Sequence, residues 1–257
     1  MSFQHLTILT GGSRGMGLAM ARQLLSPQRV LLCISRQTSD ALAREAMQAG
    51  AHLEQWTQDL ADTTETTDRL ERWLRSVHAP GLESATLINN AGVIPSIAPL
   101  SACQPDDIAR ALRVGLEAPM AMTGAFLRTT ANWAEQGWLG SRKVLNISSG
   151  LGRRPMASQA PYCAAKAGMD HFSRCVALDE AQHPRGARIV SLAPGVIDTD
   201  MQTQLRAGDP SHFPDLARFV GLHTDGLLTS PDEAARQVLA YLDRPDFGHQ
   251  PVADVRD

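Results

Sequence analysis

Along this chain, short apolar runs alternate with longer stretches of helical periodicity. The runs are Leu6–Thr10, Val30–Ile34, His52–Trp56, Thr86–Asn89, Val144–Ser148 and Arg188–Ala193. Each is too short for a stable helix and is bounded by Gly, Pro, Ser, Asp or Asn, so the pattern predicts six strands. The intervening segments place apolar residues at helical spacing, as with Leu18, Ala21, Leu24 and Leu25 in Met16–Leu25, or Leu70, Trp73, Leu74 and Val77 in Thr64–Val77. Further helices are predicted at Ser39–Ala49, Pro105–Leu112, Pro119–Thr130, Pro161–Ala181 and Pro231–Leu242. Pro105 and Pro231 each precede acidic residues, a favourable first helical turn. The stretch Gly195–Thr229 lacks a clear period and reads as a loop or lid, with a short helix expected around Phe213–Val220.

Strand–helix alternation over nearly the whole length predicts an α/β fold. The expectation is a single-domain, Rossmann-type doubly wound parallel sheet over residues 1–257, with helices on both faces. Composition narrows the partners. With 257 residues and 43% hydrophobic content the chain can bury a full core without metals or disulfides. A net charge of −3 offers no basic excess for nucleic acid. No apolar run approaches a membrane span, and the Met-Ser-Phe-Gln-His start shows no charged signal region. The four cysteines fit no metal spacing, so no metal site is expected, and a reducing, cytoplasmic setting is the simplest reading.

The first chemical signal is Thr10-Gly11-Gly12-Ser13-Arg14-Gly15-Met16-Gly17, which follows the first strand and opens the first helix. Glycines there allow a tight turn and close approach of backbone to a pyrophosphate at the helix N-terminus. The second strand ends Ile34-Ser35-Arg36, where an acid would bond the ribose 2′-hydroxyl of NAD. Arg36 and Arg14 instead suit the 2′-phosphate of NADP(H).

The second signal is compositional. The chain has two tyrosines, Tyr162 and Tyr241, and two lysines, Lys143 and Lys166, against 22 arginines. Tyr162 and Lys166 are four apart on a predicted helix and so share a face. A chance match of this kind among so few residues is on the order of 2%. A neighbouring ammonium favours a phenolate, which makes the pair a candidate general acid for carbonyl reduction. Ser149, just past the strand Val144–Ser148, sits where parallel sheets bind ligands and offers a hydroxyl to a substrate carbonyl. Ser148 competes with it on sequence grounds.

These residues carry a resemblance. Thr10–Gly17, Asn89-Asn90-Ala91-Gly92, Ser149 thirteen positions before Tyr162, Tyr162-x-x-x-Lys166, and Pro194-Gly195 with Thr199 resemble the short-chain dehydrogenase/reductase family over essentially the whole chain. The resemblance implies Tyr162 as proton donor and Ser149 as the group positioning the carbonyl. Lys166 is implied to bond the nicotinamide ribose and to lower the tyrosine pKa. The implied cofactor contacts are Gly11, Ser13, Arg14, Gly15, Met16 and Gly17 in the glycine loop, and Arg36 after the second strand. Asp59 and Leu60 are expected beside the adenine, and Asn90, Ala91 and Gly92 along the adenosine ribose. Pro194, Gly195, Ile197 and Thr199 complete the set, together with Tyr162 and Lys166. It also implies a homodimer or homotetramer built through the helices in Pro105–Thr130 and Pro161–Ala181. One departure is Gly115, where the family often carries an Asn that holds a water joining the lysine to solvent; a water in the space left by the missing side chain is the expected substitute.

Within that family the sequence is similar to the sepiapterin reductases, whose substrate-anchoring Asp three residues from the C-terminus is matched by Asp254. A carboxylate there can accept two N–H bonds from a pterin edge, although Val255-Arg256 replace that group's terminal aromatics. The implied substrates, held by Ser149, Tyr162 and Asp254, are a pterin side-chain ketone or a diketone. A 3-oxoacyl-type reductase and a non-catalytic NADP-sensing protein are the alternatives.

Overall fold

The computed structural model describes residues 3–257, so Met1 and Ser2 of the N-terminal reading lie outside the described residues. Seven strands form one parallel sheet in the order β3-β2-β1-β4-β5-β6-β7. They are β1 (His5–Thr10), β2 (Arg29–Ser35), β3 (His52–Thr57), β4 (Ser84–Asn89), β5 (Ser141–Ile147), β6 (Arg188–Ala193) and β7 (Val252–Asp254). The six expected strands are present. The apolar runs of β1, β2, β4, β5 and β6 follow from burial on both faces, since a parallel sheet carries helices on each side, whereas the edge strand β3 is more polar and only partly buried. β7 was not expected. It is three residues long and exists through its register on β6, Ser191 opposite Val252 and Ala193 opposite Asp254.

Among the described residues the sheet is accompanied by nine α-helices: α1 (Gly15–Leu24), α2 (Asp40–Gln48), α3 (Thr63–Ser76), α4 (Pro105–Leu112), α5 (Ala118–Glu135), α6 (Ala160–Glu180), α7 (Asp200–Arg206), α8 (Leu216–Thr224) and α9 (Pro231–Leu242). One core layer packs Leu70 and Leu74 of α3 and Met122 and Phe126 of α5 against Leu6, Ile8 and Leu87. The opposite layer packs Met20 and Leu24 of α1 and Ala234 and Val238 of α9 against Leu9, Leu31 and Val190. Capping is local. Ser39 accepts a hydrogen bond from Leu42 N–H to start α2, and Ser230 accepts one from Glu233 N–H to start α9, with Pro231 just inside.

Two segments differ from the expectation. Pro105–Leu112 and Pro119–Thr130 are joined by a π-helical turn over Arg113–Glu117. Pro119 has no N–H for the Gly115 carbonyl and its ring crowds that turn, so the helix widens rather than breaks. The lid region holds two helices, α7 and α8, the second a few residues beyond the expected Phe213–Val220. Leu205, Phe213 and Phe219 form their own small core against Ile94, Ile97 and Met156, with the Phe213 and Phe219 rings stacked at 5.6 Å. No helix among the described residues is long and apolar enough to cross a membrane.

Candidate active site

Strand order reverses at the β1–β4 pair, and there the carboxyl ends of the strands open a crevice. A cleft of about 1160 Å³ runs across this edge. Every residue singled out from the sequence as a candidate contact, from Gly11 to Asp254, lines it.

The glycine loop forms one wall. Gly11 and Gly15 have φ of 72° and 53°, backbone that side-chain-bearing residues avoid. Gly17 is needed for space: a Cβ there would lie 2.0 Å from the Gly11 carbonyl oxygen and 2.5 Å from Asn90 Nδ2. The start of α1 has no side-chain cap, so its first N–H groups remain available to a ligand in the cleft. Thr10 and Asn90 staple the next wall in place. Thr10 Oγ1 accepts from the N–H groups of Asn90 (2.9 Å) and Ala91 (3.0 Å), and Asn90 Nδ2 donates to the Thr10 carbonyl (2.9 Å). Asn89 donates to Asn146 (2.8 Å), which donates to Ser173 (2.9 Å), tying β4 and β5 to α6 within the core.

At the end of β2, Arg36 is exposed and makes no ion pair among the described residues, while the buried Ser35 hydroxyl beside it has no hydrogen-bond partner. Arg14 reaches across the cleft mouth to Asp200 at 2.9 Å, with both side chains largely exposed. Such a pair contributes little and is readily exchanged for a phosphate. Asp59 accepts from Ala61 N–H (3.0 Å) and from Arg110 (2.9 Å). Burial opposes ionisation at Asp59, yet these partners outweigh it and hold the carboxyl below its ordinary range. An uncapped helix start, a glycine cradle and an orphaned hydroxyl beside an unpaired arginine together fit a dinucleotide with a terminal ribose phosphate. Ser35 and Arg110 were not singled out from the sequence; Ser35 lay within the quoted Ile34-Ser35-Arg36, whereas nothing local marks Arg110.

Deeper in the cleft, Ser149 and Tyr162 come together. Geometry separates the two serines, both of which line the cleft: Ser148 Oγ turns into the core and donates to Asp170 at 2.6 Å, whereas Ser149 Oγ accepts from Leu151 N–H at 3.2 Å. Crowding by protein pushes the Tyr162 phenol above its ordinary value, and hydrogen bonding with Ser149 offsets part of that rise. Lys166 makes a contact that its spacing from Tyr162 does not announce. Its Nζ donates to the Ile147 carbonyl at 2.7 Å and lies 5.8 Å from the Tyr162 ring centre. One of its three N–H donors is thus on the end of β5, and burial leaves the phenol raised in this structure. Burial brings Lys166 itself down to about 8, against the opposing pull of Asp170. At Gly115 an added Cβ would approach the Ala165 methyl to 3.1 Å, so α6 packs closely on this turn.

The family model described as short chain dehydrogenase matches residues 5–210. The chain belongs to the short-chain dehydrogenase family. As a member of that family it is an oxidoreductase, and three similar proteins illustrate the range around it. A benzil reductase forming (S)-benzoin from Bacillus cereus is 33% identical over 240 residues, covering 93% of this chain and 94% of that protein. A sepiapterin reductase from Meriones unguiculatus is 31% identical over 251 residues, covering 93% and 92%. A solved short-chain dehydrogenase/reductase from Burkholderia vietnamiensis is 33% identical with a TM-score of 0.67, covering 100% of this chain and 99% of that one.

Asp254 lies at the carboxyl end of β7, beside Ala193, and is buried rather than frayed. Its two carboxylate oxygens are both taken. Arg256 Nε donates to Oδ1 at 2.6 Å and Nη2 to Oδ2 at 2.5 Å. This fork holds the Asp254 carboxyl below its ordinary range, burial notwithstanding. Arg256 was not anticipated, because a two-residue spacing says nothing about a side chain folding back on its neighbour.

Proposed function

We propose that this chain is an NADPH-dependent reductase of small ketones, and that 1,2-diketones are its favoured substrates. The observation that carries the reading is the Ser149–Tyr162 hydroxyl pair in one cleft with an uncapped, glycine-lined helix start. A bound nicotinamide dinucleotide supplies the hydride. Ser149 donates to the substrate carbonyl and favours charge developing on its oxygen. Tyr162, kept protonated by its raised pKa, hands its proton to that oxygen. Lys166 holds the β5 end and stands ready for a ribose hydroxyl. NADP(H) is favoured over NAD(H) by Arg36 and Arg14. Replacing Arg36 with Ala should weaken NADPH binding at least about tenfold and leave NADH within about twofold, read by fluorescence titration. Equal losses for both cofactors would refute the phosphate role.

The diketone preference rests on Arg256. A pterin edge competes with a guanidinium for both oxygens of Asp254, whereas an uncharged diketone makes no demand on that carboxylate. NADPH oxidation with a 1,2-diketone, sepiapterin and a β-ketoacyl thioester tests the reading. The diketone should give the highest kcat/KM, and a preference for the thioester would favour the 3-oxoacyl-type alternative. Binding of NADPH with no turnover of any ketone would favour a sensing protein. In Arg256→Ala the freed carboxylate should raise kcat/KM for sepiapterin at least about tenfold, with the diketone within about threefold. We further infer a single domain, and a homodimer or homotetramer through α4–α5 and α6, whose outer faces carry the exposed Met120 and Leu178.

A further inference from the structure

One buried charge lies outside the chemistry so far described. Asp170 is 2% exposed and sits one helical turn beyond Lys166 on α6. Its Oδ1 accepts from Ser148 Oγ at 2.6 Å and from Ser191 Oγ at 2.7 Å, so it joins the ends of β5 and β6. Its Oδ2 accepts no hydrogen bond and has Arg153 Nε at 3.6 Å. The turn after Ser149 presses on the same spot: a Cβ on Gly152 would lie 2.9 Å from Asp170 Oδ2 and 2.9 Å from the Lys166 carbonyl.

The two α6 residues act on consecutive positions of one strand end. Lys166 donates to the carbonyl of Ile147, and Asp170 accepts from the side chain of Ser148. The next residue is Ser149. A displacement of Ser148 is therefore passed directly to the hydroxyl facing Tyr162. A carboxylate without full hydrogen bonding is costly to bury unless positive charge lies near, and Arg153 and Lys166 are the cations present. We propose that Asp170 is a positioning residue: it anchors the strand end that carries Ser149 and provides the counter-charge behind the Lys166 ammonium. This rests on the reductase reading above for its consequence in turnover, though not for its electrostatics.

The groups facing Lys166 can be named element by element. On α6 they are Tyr162, Met169 and Asp170, and from β5 the uncharged Ile147 carbonyl; Arg153, Ser148 and Ser191 stand behind them on Asp170. The π-helical turn presents buried Val114 and Gly115, while its charged residues, Arg113 and Glu117, are exposed. β7 and α4 also pack on α6 and bring Asp254, forked with Arg256, and Asp106, Asp107 and Arg110; of these carboxylates the one that pulls on Lys166 is Asp170. Removing its charge should make the ammonium easier to deprotonate, and removing Arg153 should do the reverse.

The chain's two lysines make this directly measurable. Full-length protein labelled with 13C at lysine Cε gives two side-chain signals, and Lys143→Arg identifies the one from Lys166. In Asp170→Asn the Lys166 titration midpoint should fall by about one pH unit, a tenfold rise in its acid constant. In Arg153→Gln it should rise. Turnover of the diketone by Asp170→Asn should drop about tenfold in kcat with KM within about threefold, and its alkaline limb should move to lower pH. Unchanged midpoints in both variants would overturn the proposal. If Asp170→Asn does not fold, Arg153→Gln, altered at a partly exposed side chain, decides by itself. If the wild-type protein reduces no carbonyl, the reductase reading fails and the lysine titration still decides whether Asp170 sets the Lys166 charge.

Discussion

Tyr162→Phe should lose ketone reduction by about 10²–10⁴-fold in kcat while binding NADPH within about threefold of wild type. The substitution removes one oxygen from a half-buried ring and leaves the packing of α6 in place. It deletes the group placed to give a proton, while other ionisable groups of the cleft are engaged elsewhere: Lys166 donates to the Ile147 carbonyl, Asp59 accepts from Arg110 and Asp254 from Arg256. Steady-state NADPH oxidation and a fluorescence titration separate the two effects. A variant retaining even a tenth of the wild-type rate would remove Tyr162 from the chemistry.

Gly17→Ala should damage cofactor binding with the catalytic hydroxyls untouched. The added methyl meets the Gly11 carbonyl at 2.0 Å, and backbone cannot rotate away as a long side chain can. Either α1 moves off the sheet or the Gly11 turn opens, and each displaces the N–H groups that face a pyrophosphate. Losing hydrogen bonds to a charged group at this level, about 2–3 kcal/mol, weakens NADPH roughly 30- to 150-fold. Strain of this kind costs about 1–3 kcal/mol of stability, so the melting temperature should also fall. Gly12 is a useful contrast, because its closest obstacle is the Cys33 side chain at 2.8 Å, away from the phosphate-facing backbone. NADPH affinity equal to wild type in Gly17→Ala would show that the loop is not the phosphate cradle.

Much of this was legible because the signals are local. The glycine loop, Asn89–Gly92 and the Tyr162–Lys166 pair each occupy a few consecutive residues, and strand–helix alternation places them at the same sheet edge. What was not legible depends on partners distant in sequence. Three residues at Val252–Asp254 have no strand signal of their own; they become β7 only against Ser191–Ala193. Ser148 and Ser149 are chemically identical, and it is Asp170, more than twenty residues later, that turns one inward. The expected effect of Lys166 on the tyrosine followed from helical spacing, but the ammonium found the carbonyl of Ile147 on a neighbouring strand. The fork between Arg256 and Asp254 is local yet equally hidden, since side-chain direction is decided by packing. The π-helical turn was half visible: Pro119 announced a break, and the fold answered with a wider turn.

The position of β7 has a consequence for how the molecule is built in time. The glycine loop, β2, β4 and the Asn89–Gly92 turn all lie within the first 92 residues, so these walls of the cleft are the first to be synthesised. Asp254 arrives some 160 residues later, on the sheet's last strand in chain order. A nascent chain therefore holds the glycine loop and the Asn89–Gly92 turn well before it holds Asp254. Parallel pairing between distant segments is slow and leaves edges exposed while it waits. For β6, that wait ends only when Val252–Asp254 docks beside it.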